Sequence, residues 1–411
     1  MFPISHFNIT RTPFYYYDKT LLSNTLAKLI RLAGERNYHI HYAVKANANP
    51  EILKLIAASG IGADCVSGGE IKAALEAGFP AKKIVFAGVG KADWEIEYAL
   101  EKKIFCFNVE SAEELSVIEE LAKKKENIAS IALRINPNID AHTHEYIKTS
   151  KHSSKFGESI FDEKLVGIVE KIVKDKNIEF LGFHCHIGSQ IFDTKAFHEG
   201  IETMIVETKK IADTLGIKIP EINLGGGFGV YYTENDVEVD IEKFMRSMIE
   251  HLEKSLDEHK LEIEKVSIEP GRSIVGNAGS TLYTVGGIKQ TYGGVKYMFI
   301  DGGMTDNIRS SLYNAKYDAV IANKAGQEAN HLVTVAGKNC ESGDILIRDI
   351  MLQDPQPGDI LAMFSTGAYH YSMSSNYNQL PKPAVVFTYQ GKSKEVIRRQ
   401  TFDDLVAYDV D

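Results

Sequence analysis

Eight short apolar runs, rich in β-branched and aromatic residues, recur through the first two thirds of the chain at 39–44, 62–66, 83–87, 104–109, 129–135, 179–186, 221–224 and 265–269. Between them, near 50–59, 68–77, 92–101, 111–125, 161–175, 194–215 and 240–258, apolar residues fall at the three- and four-residue spacing of an amphipathic helix. Few folds accept such an alternation over about 230 residues, and its regularity favours a closed (β/α)8 TIM-like barrel over an open doubly wound sheet. At 411 residues the chain is too long for one ordinary core. From about residue 273 the pattern changes to strand-like runs at 281–289, 296–300, 330–336, 345–350, 359–364, 384–390 and 394–399. We therefore expect a barrel domain over 20–272 and a mainly β domain over 273–411. The second domain is completed by residues 1–19, whose Pro13-Phe14-Tyr15-Tyr16-Tyr17 has nothing to pair with in a barrel that starts later.

A barrel keeps its chemistry at the C-terminal ends of its strands, so those ends form a short roster of candidates. The first strand delivers Lys45 just before an Asn/Pro turn. A lone strand-end lysine is ordinarily solvated, but one held at an apolar mouth can lose its proton and attack a carbonyl. The second strand carries Asp64, the fifth Arg134, and the sixth His184, His186 and Ser189. The seventh ends in Gly225-Gly226-Gly227 and the eighth in Glu269-Pro270-Gly271-Arg272. Successive glycines leave backbone N–H groups open, and barrels often hold phosphate after their last two strands, so the triplet with Ser189 and Arg272 reads as a phosphate site. Glu269 is either a carboxylate for a heterocyclic nitrogen or an ion-pair partner of Arg272. His184-Cys185-His186 resembles a metal cluster only superficially, since successive strand residues face opposite ways, which turns Cys185 away from a face the two histidines could share, and no second ligand cluster stands nearby in sequence, so we expect no metal. The long polar stretch 136–160 reads as a lid.

In the β domain three turns are too polar for core: Asp301 to Arg309 leading to Tyr313, Asn339 to Asp344 with Cys340 and Glu341, and Gly367 to Asn378 with Tyr369. Together they suggest a pocket offering cation, anion, thiol and phenol. A net charge of −10 argues against nucleic acid or an anionic membrane as partner. No signal peptide or membrane span is evident, and Cys65, Cys106, Cys185 and Cys340 lack disulfide spacing, so a reduced, cytoplasmic setting is expected.

Six stretches in order, Tyr42-Ala43-Val44-Lys45-Ala46-Asn47, His184 to Gln190, Gly225 to Gly227, Glu269 to Arg272, Cys340 to Asp344 and Gly367-Ala368-Tyr369, resemble the alanine-racemase-fold (type III, or group IV) pyridoxal-phosphate decarboxylases. The resemblance implies that Lys45 carries pyridoxal 5'-phosphate in Schiff-base linkage, with Asp64 nearby, His186 stacked on the ring and Glu269 facing its nitrogen. Ser189, Gly225, Gly226, Gly227, Gly271, Arg272 and Tyr369 would surround the phosphate. Arg272, Arg309, Tyr313, Glu341 and Tyr369 would hold substrate, with Cys340 the acid that protonates Cα. It further implies a homodimer with shared sites, in which Cys340 and Glu341 act across the interface.

Within that family the nearest branch acts on meso-2,6-diaminopimelate, releasing CO2 and L-lysine as the last step of lysine biosynthesis. The chemistry agrees, since Arg309 and Glu341 can grip the far zwitterion of a diamino diacid, whereas ornithine has no second carboxylate to offer. The alternative is a sister decarboxylase of ornithine, arginine or a carboxylated polyamine. A racemase leaves the Cys340 motif unexplained, and a non-catalytic carrier would not need both Lys45 and Cys340. Three positions depart from the family pattern: Ser150 in the lid, Ser310 after Arg309, and His370 after Tyr369.

Overall fold

The structure is a computed structural model that describes residues 10–139, 155–234, 236 and 240–410. Two compact units divide the chain: Leu26–Gly229 with Val239–Ser273, and Met1–Thr25 with Val230–Glu238 and Ile274–Asp411. The greater part of the expected lid, residues 140–154 including Ser150, lies outside the described residues.

Strand β1 (Phe14–Asp18) belongs to the second unit. The first unit is built on β2 (Tyr38–Ala43), β3 (Gly62–Cys65), β4 (Ile84–Phe86), β5 (Cys106–Val109) and β6 (Ala129–Asn136), which carries the two-residue β7 (Glu158–Ser159) on its edge, then β8 (Ile178–His184), β9 (Glu221–Asn223) and β10 (Lys265–Ile268). Their order is β5-β4-β3-β2-β10-β9-β8-β6, every pairing is parallel, and β5 on β6 closes the ring. This is the (β/α)8 barrel that the alternating pattern implied.

Helices α1 (Lys19–Gly34), α2 (Pro50–Ala58), α3 (Gly68–Ala77), α4 (Asp93–Lys102), α5 (Ala112–Lys124), α6 (Leu165–Lys174), α7 (Thr194–Leu215) and α8 (Ile241–His259) accompany the strands. Short polar side chains start most of them: Asp18, Asn49, Ser67, Ser111, Asp193 and Asp240 each accept a backbone N–H from the first turn of α1, α2, α3, α5, α7 and α8. Each helix then buries one stripe, as with Ile52, Leu53 and Ile56 on α2, at about 1.5–3 kcal/mol per fully buried side chain. Helix α1 was not among the expected elements, although Leu22, Leu26, Leu29 and Leu32, all buried, carry the helical spacing. No helix among the described residues is long and apolar enough to cross a membrane.

The second unit is a nine-stranded sheet. Its later strands are β11 (Gly279–Gln290), β12 (Lys296–Ile300), β13 (Ala319–Ile321), β14 (His331–Ala336), β15 (Ile345–Leu352), β16 (Ile360–Met363), β17 (Ala384–Tyr389) and β18 (Lys392–Ile397). They run β15-β14-β12-β11-β1-β17-β18, with β16 bridging β11 and β13. Strand β1 lies between β11 and β17, antiparallel to the first and parallel to the second, so the N-terminal aromatics join the β unit as expected. Phe14 and Tyr16 pack there with Leu282, Ala362, Ala384 and Val386. Residues 230–238, inside the range expected for the barrel, belong to this unit because Val230 and Tyr232 are buried in its core beside Tyr283 and Tyr317.

Candidate active site

Strand β2 runs out at Ala43, and one turn of 3-10 helix, Val44–Ala46, puts Lys45 just beyond the strand's C-terminal end. The turn is pinned from both sides. The Tyr42 hydroxyl donates to the Asn47 carbonyl (3.0 Å), Asn47 Oδ1 accepts the Asn49 N–H (3.0 Å), and Asn49 Oδ1 accepts the Glu51 N–H that opens α2 (2.9 Å). Lys45 Nζ stands 3.5 Å from Asp64 Oδ2 at the end of β3, with the lysine side chain 38% exposed and the aspartate 1%.

Asp64 and Glu269 form a buried carboxylate pair whose members diverge. Burial, then the Glu269 charge, pushes the Asp64 carboxyl up to about 8 in spite of Lys45. Neither Asp64 oxygen has a hydrogen-bond partner. Burial acts on Glu269 too, but His184, Lys45 and His186 outweigh it and hold Glu269 below the ordinary carboxylate range. The reason is local: Glu269 Oε1 accepts from Asn108 Nδ2 (3.1 Å) and Asn223 Nδ2 (2.8 Å), and Oε2 meets His184 Nε2 at 3.1 Å. The alternative of an ion pair between Glu269 and Arg272 is not the arrangement found, since Arg272 Nη2 donates to Ser189 Oγ at 3.1 Å.

His184 and His186 therefore have separate partners. His186 Nδ1 accepts the Gly226 N–H at 3.1 Å, and burial, followed by Lys45 and Arg134, drives its pKa well down, so the ring is neutral and keeps its proton on Nε2. Among the described residues no group of His, Cys, Asp and Glu is arranged to hold a metal ion.

The glycine triplet answers first to crowding. A Cβ would stand 2.3 Å from the Cys185 carbonyl oxygen at Gly225, 2.1 Å from that of Glu269 at Gly226 and 2.2 Å from that of Gly188 at Gly227. Two of its amides are already engaged, Gly225 with Asn223 Oδ1 (2.9 Å) and Gly226 with His186 Nδ1 (3.1 Å), so the cradle is less open than the sequence suggested. Gly271 has a like duty, since its Cβ would fall 2.9 Å from that of Ala43, close to Lys45.

Other charged groups at the mouth are internally matched. Lys91, 1% exposed, reaches the Gly88 carbonyl (2.7 Å), the Asn108 carbonyl (2.9 Å) and Glu114 (2.6 Å). Arg134 pairs with Glu110 at 2.7 Å.

In the β unit the short helix Arg309–Tyr313 presents a buried arginine. Arg309 Nε donates to the Tyr317 hydroxyl (3.1 Å), and the guanidinium lies 5.0 Å from the Tyr313 ring centroid and 5.4 Å from that of Tyr369. Tyr369 sits at φ +70, left-handed backbone uncommon for an aromatic residue. His370 behind it is buried, donates from Nδ1 to the Ala368 carbonyl (2.9 Å), and sets its ring edge-on 5.2 Å from that of Tyr317. That departure from the family pattern thus braces the tyrosine that holds Arg309.

Cys340 and Glu341 are exposed on a loop fastened by Asp344, which accepts the Asn339 backbone and side-chain N–H groups (both 2.8 Å) and the Met304 N–H (2.7 Å). The Cys340 N–H donates to Asn378 Oδ1 (2.7 Å), and Ser311 Oγ donates to the Gly343 carbonyl (2.8 Å), tying the loop to the Arg309 helix. Sequence reasoning put Asn108 near the C-terminal end of the apolar run 104–109, among the strand-end candidates, but gave it no role, and it missed Asn223 and Tyr317.

Residues 24–276 match the family model described as the pyridoxal-binding domain of pyridoxal-dependent decarboxylases. The chain is 41% identical over 401 residues to the diaminopimelate decarboxylase of Bacillus subtilis (strain 168), covering 97% of this chain and 91% of that one. It is 43% identical over 401 residues to the enzyme of the same name from Staphylococcus aureus (strain COL), covering 97% and 93%. Among solved structures, diaminopimelate decarboxylase from Helicobacter pylori complexed with L-lysine superimposes with a TM-score of 0.90 at 36% identity, covering 98% of each chain.

Proposed function

Because the chain belongs to the pyridoxal-dependent decarboxylases, within the diaminopimelate decarboxylase family, we propose that it removes one carboxyl group from meso-2,6-diaminopimelate to give L-lysine and CO2. The observation that carries this reading is the convergence of a half-exposed Lys45, a proton-retaining Asp64, a neutral His186 and an ionised Glu269 at one barrel mouth.

These residues fit pyridoxal phosphate. Lys45 is an amine beside a carboxyl reluctant to ionise, suited to deprotonation and attack on an aldehyde. Glu269 is an acceptor for a ring N–H, and His186 a flat uncharged ring to lie on a heterocycle. Ser189, Gly225, Gly226, Gly227, Gly271, Arg272 and Tyr369 would serve the phosphate, with the two engaged glycine amides leaving the larger part to Ser189 and Arg272. When bound, the cofactor supplies an electron sink for the pair left at Cα as the bond to CO2 breaks.

The chain's own residues do the rest. Arg272, Arg309, Tyr313, Glu341 and Tyr369 would orient the substrate, Arg309 by a planar fork onto the far carboxylate and Glu341 on the far ammonium. Cys340 Sγ would deliver the proton that replaces CO2 on Cα. The barrel unit would thus bind cofactor and the β unit supply substrate groups and the dimer contact, with Cys340 and Glu341 acting on the barrel of the partner subunit in a cytoplasmic homodimer. The four cysteines, all free, and the charge of −10 accord with that compartment.

The test is incubation of cofactor-loaded protein with meso-diaminopimelate, ornithine and arginine while CO2 and amine products are followed. Lysine from the first, with little turnover of the others, is expected. Preferential turnover of ornithine or arginine would move the chain to a sister activity.

A further inference from the structure

Glu269 is 4% exposed, and its hydrogen bonds can be counted. A carboxylate oxygen has two lone pairs. Asn108 Nδ2 and Asn223 Nδ2 occupy both on Oε1, at 3.1 and 2.8 Å, and His184 Nε2 takes one on Oε2 at 3.1 Å. One acceptor position remains. The three donors come from the ends of three different strands, β5, β9 and β8, and each is itself at most 2% exposed. An amide NH2 can only donate, so both asparagines favour the ionised form of Glu269 whatever the pH. Asn223 is in turn oriented through Oδ1, which accepts the Gly225 N–H at 2.9 Å.

We infer that Asn108, Asn223 and His184 are positioning residues that clamp Glu269 as a carboxylate with a single open lone pair, reserved for the ring N–H of the cofactor. The inference rests on the proposed function and adds the residues that set the strength and direction of that one contact. Without the clamp, burial would favour a protonated Glu269, which would offer the ring nitrogen a competing hydrogen in place of a lone pair. The remaining charged and titratable groups facing Glu269 are Lys45 and His41 from the β2 end, Cys106 on β5, and Cys185 and His186 after β8. Among these Lys45 is the group able to bring an opposing charge near neutrality, and its Nζ also stands 3.5 Å from Asp64 Oδ2.

The experiment compares two ligands on the apoprotein: pyridoxal phosphate and its carbocyclic analogue with C–H in place of the ring nitrogen. Both share aldehyde and phosphate, so the ratio of their dissociation constants isolates the Glu269 contact. In wild type the nitrogen-bearing ligand should bind about ten- to a hundredfold more tightly, as expected for one hydrogen bond to a charged group, and the ratio should stay level from pH 8 to pH 5. Asn223→Leu and Asn108→Leu each remove a donor at similar volume. In both, the ratio should collapse toward one at the acidic end, at a pH about one to two units above any decline in wild type. His184→Gln, which retains a donor at similar reach, should keep most of the wild-type ratio. Binding of the analogue reports whether each variant is folded. A wild-type ratio preserved in both asparagine variants would overturn the clamp, as would an equal loss of both ligands. Failure of wild type to bind pyridoxal phosphate would instead overturn the proposed function.

Discussion

Lys45 Nζ lies 3.5 Å from Asp64 Oδ2, yet the lysine is more than one third exposed and the aspartate almost wholly buried. The pair is thus lopsided: the acid is in a medium that disfavours its charge, while the base is open to solvent and to an incoming aldehyde. Burial pushes Asp64 up to about 8, so near neutrality it does not fully fix the lysine as an ammonium.

Covalent attachment follows. Borohydride reduction of the cofactor-loaded protein should fix the label on the peptide containing Lys45, and Lys45→Ala should take up none. Lys91 is the internal control, because its Nζ is already engaged by three acceptors and its side chain is 1% exposed. Label recovered on Lys91 by peptide mass spectrometry would contradict the assignment.

Arg309 should govern substrate choice without touching cofactor content. Arg309→Ala is expected to lower kcat/KM for meso-diaminopimelate about ten- to a hundredfold, the equivalent of about 1.5–3 kcal/mol of charge-assisted bonding, while cofactor absorbance stays unchanged. Arg309→Lys should recover little, since an ammonium replaces neither the planar fork nor the bond from Nε to Tyr317. Discrimination against lysine as a substrate should narrow in parallel, as measured by the ratio of kcat/KM for the two amino acids.

Subunit complementation tests the shared site. Lys45→Ala and Cys340→Ala proteins, each inactive alone, should regain up to roughly a quarter of wild-type activity when mixed and allowed to exchange randomly, because half the dimers are then hybrids with one intact site. Demonstrated exchange with no recovery would place Cys340 and Lys45 of one chain in the same site.

His41 gives a pH prediction independent of catalysis. Its Nδ1 lies 3.3 Å from the Lys83 carbonyl, which can only accept, so the proton is on Nδ1 and Nε2 is left buried without a partner. Burial, helped by Lys265, pulls its pKa to about 4. The folded value is below the unfolded one of about 6.5, so the stability it contributes is present above about pH 6.5 and is lost as pH falls through 4, to a limit of about 3 kcal/mol. His41→Asn, which keeps a donor toward Lys83, should flatten the fall in unfolding free energy between pH 7 and 4.5, followed by denaturant titration of the apoprotein.

The barrel was legible because its strands are buried on both faces and its helices on one, so each element announces itself locally by its apolar period. Helix α1 carried the same signal and was passed over beside the aromatic run that precedes it. The catalytic candidates at the strand ends were legible from residue type and order. Their partners were not. Nothing local links Asn108 and Asn223 to Glu269, since the three meet only when strands β5, β9 and β10 take their places around the ring. The glycine triplet shows the converse: its sequence invited a phosphate cradle, but its first necessity is the close approach of three backbone carbonyls, contacts between segments far apart in the chain. Residues 230–238 fall inside the range 20–272 expected for the barrel, whereas the burial of Tyr232 beside Tyr317 is visible only in three dimensions.

Strand β1 lies between β11 and β17, with Phe14 opposite Leu282 on one side and Ala384 on the other. During synthesis from the N-terminus this strand emerges first and finds its parallel partner almost last. The eight barrel strands, by contrast, all lie between Tyr38 and Ile268 and can close while the β unit is still incomplete. For most of translation the aromatic segment Phe14 to Tyr17 therefore has no sheet to enter. A chain that stops before Ala384 would keep β11 as the antiparallel partner of β1 but leave the other edge of β1, aromatic and apolar, open to another strand.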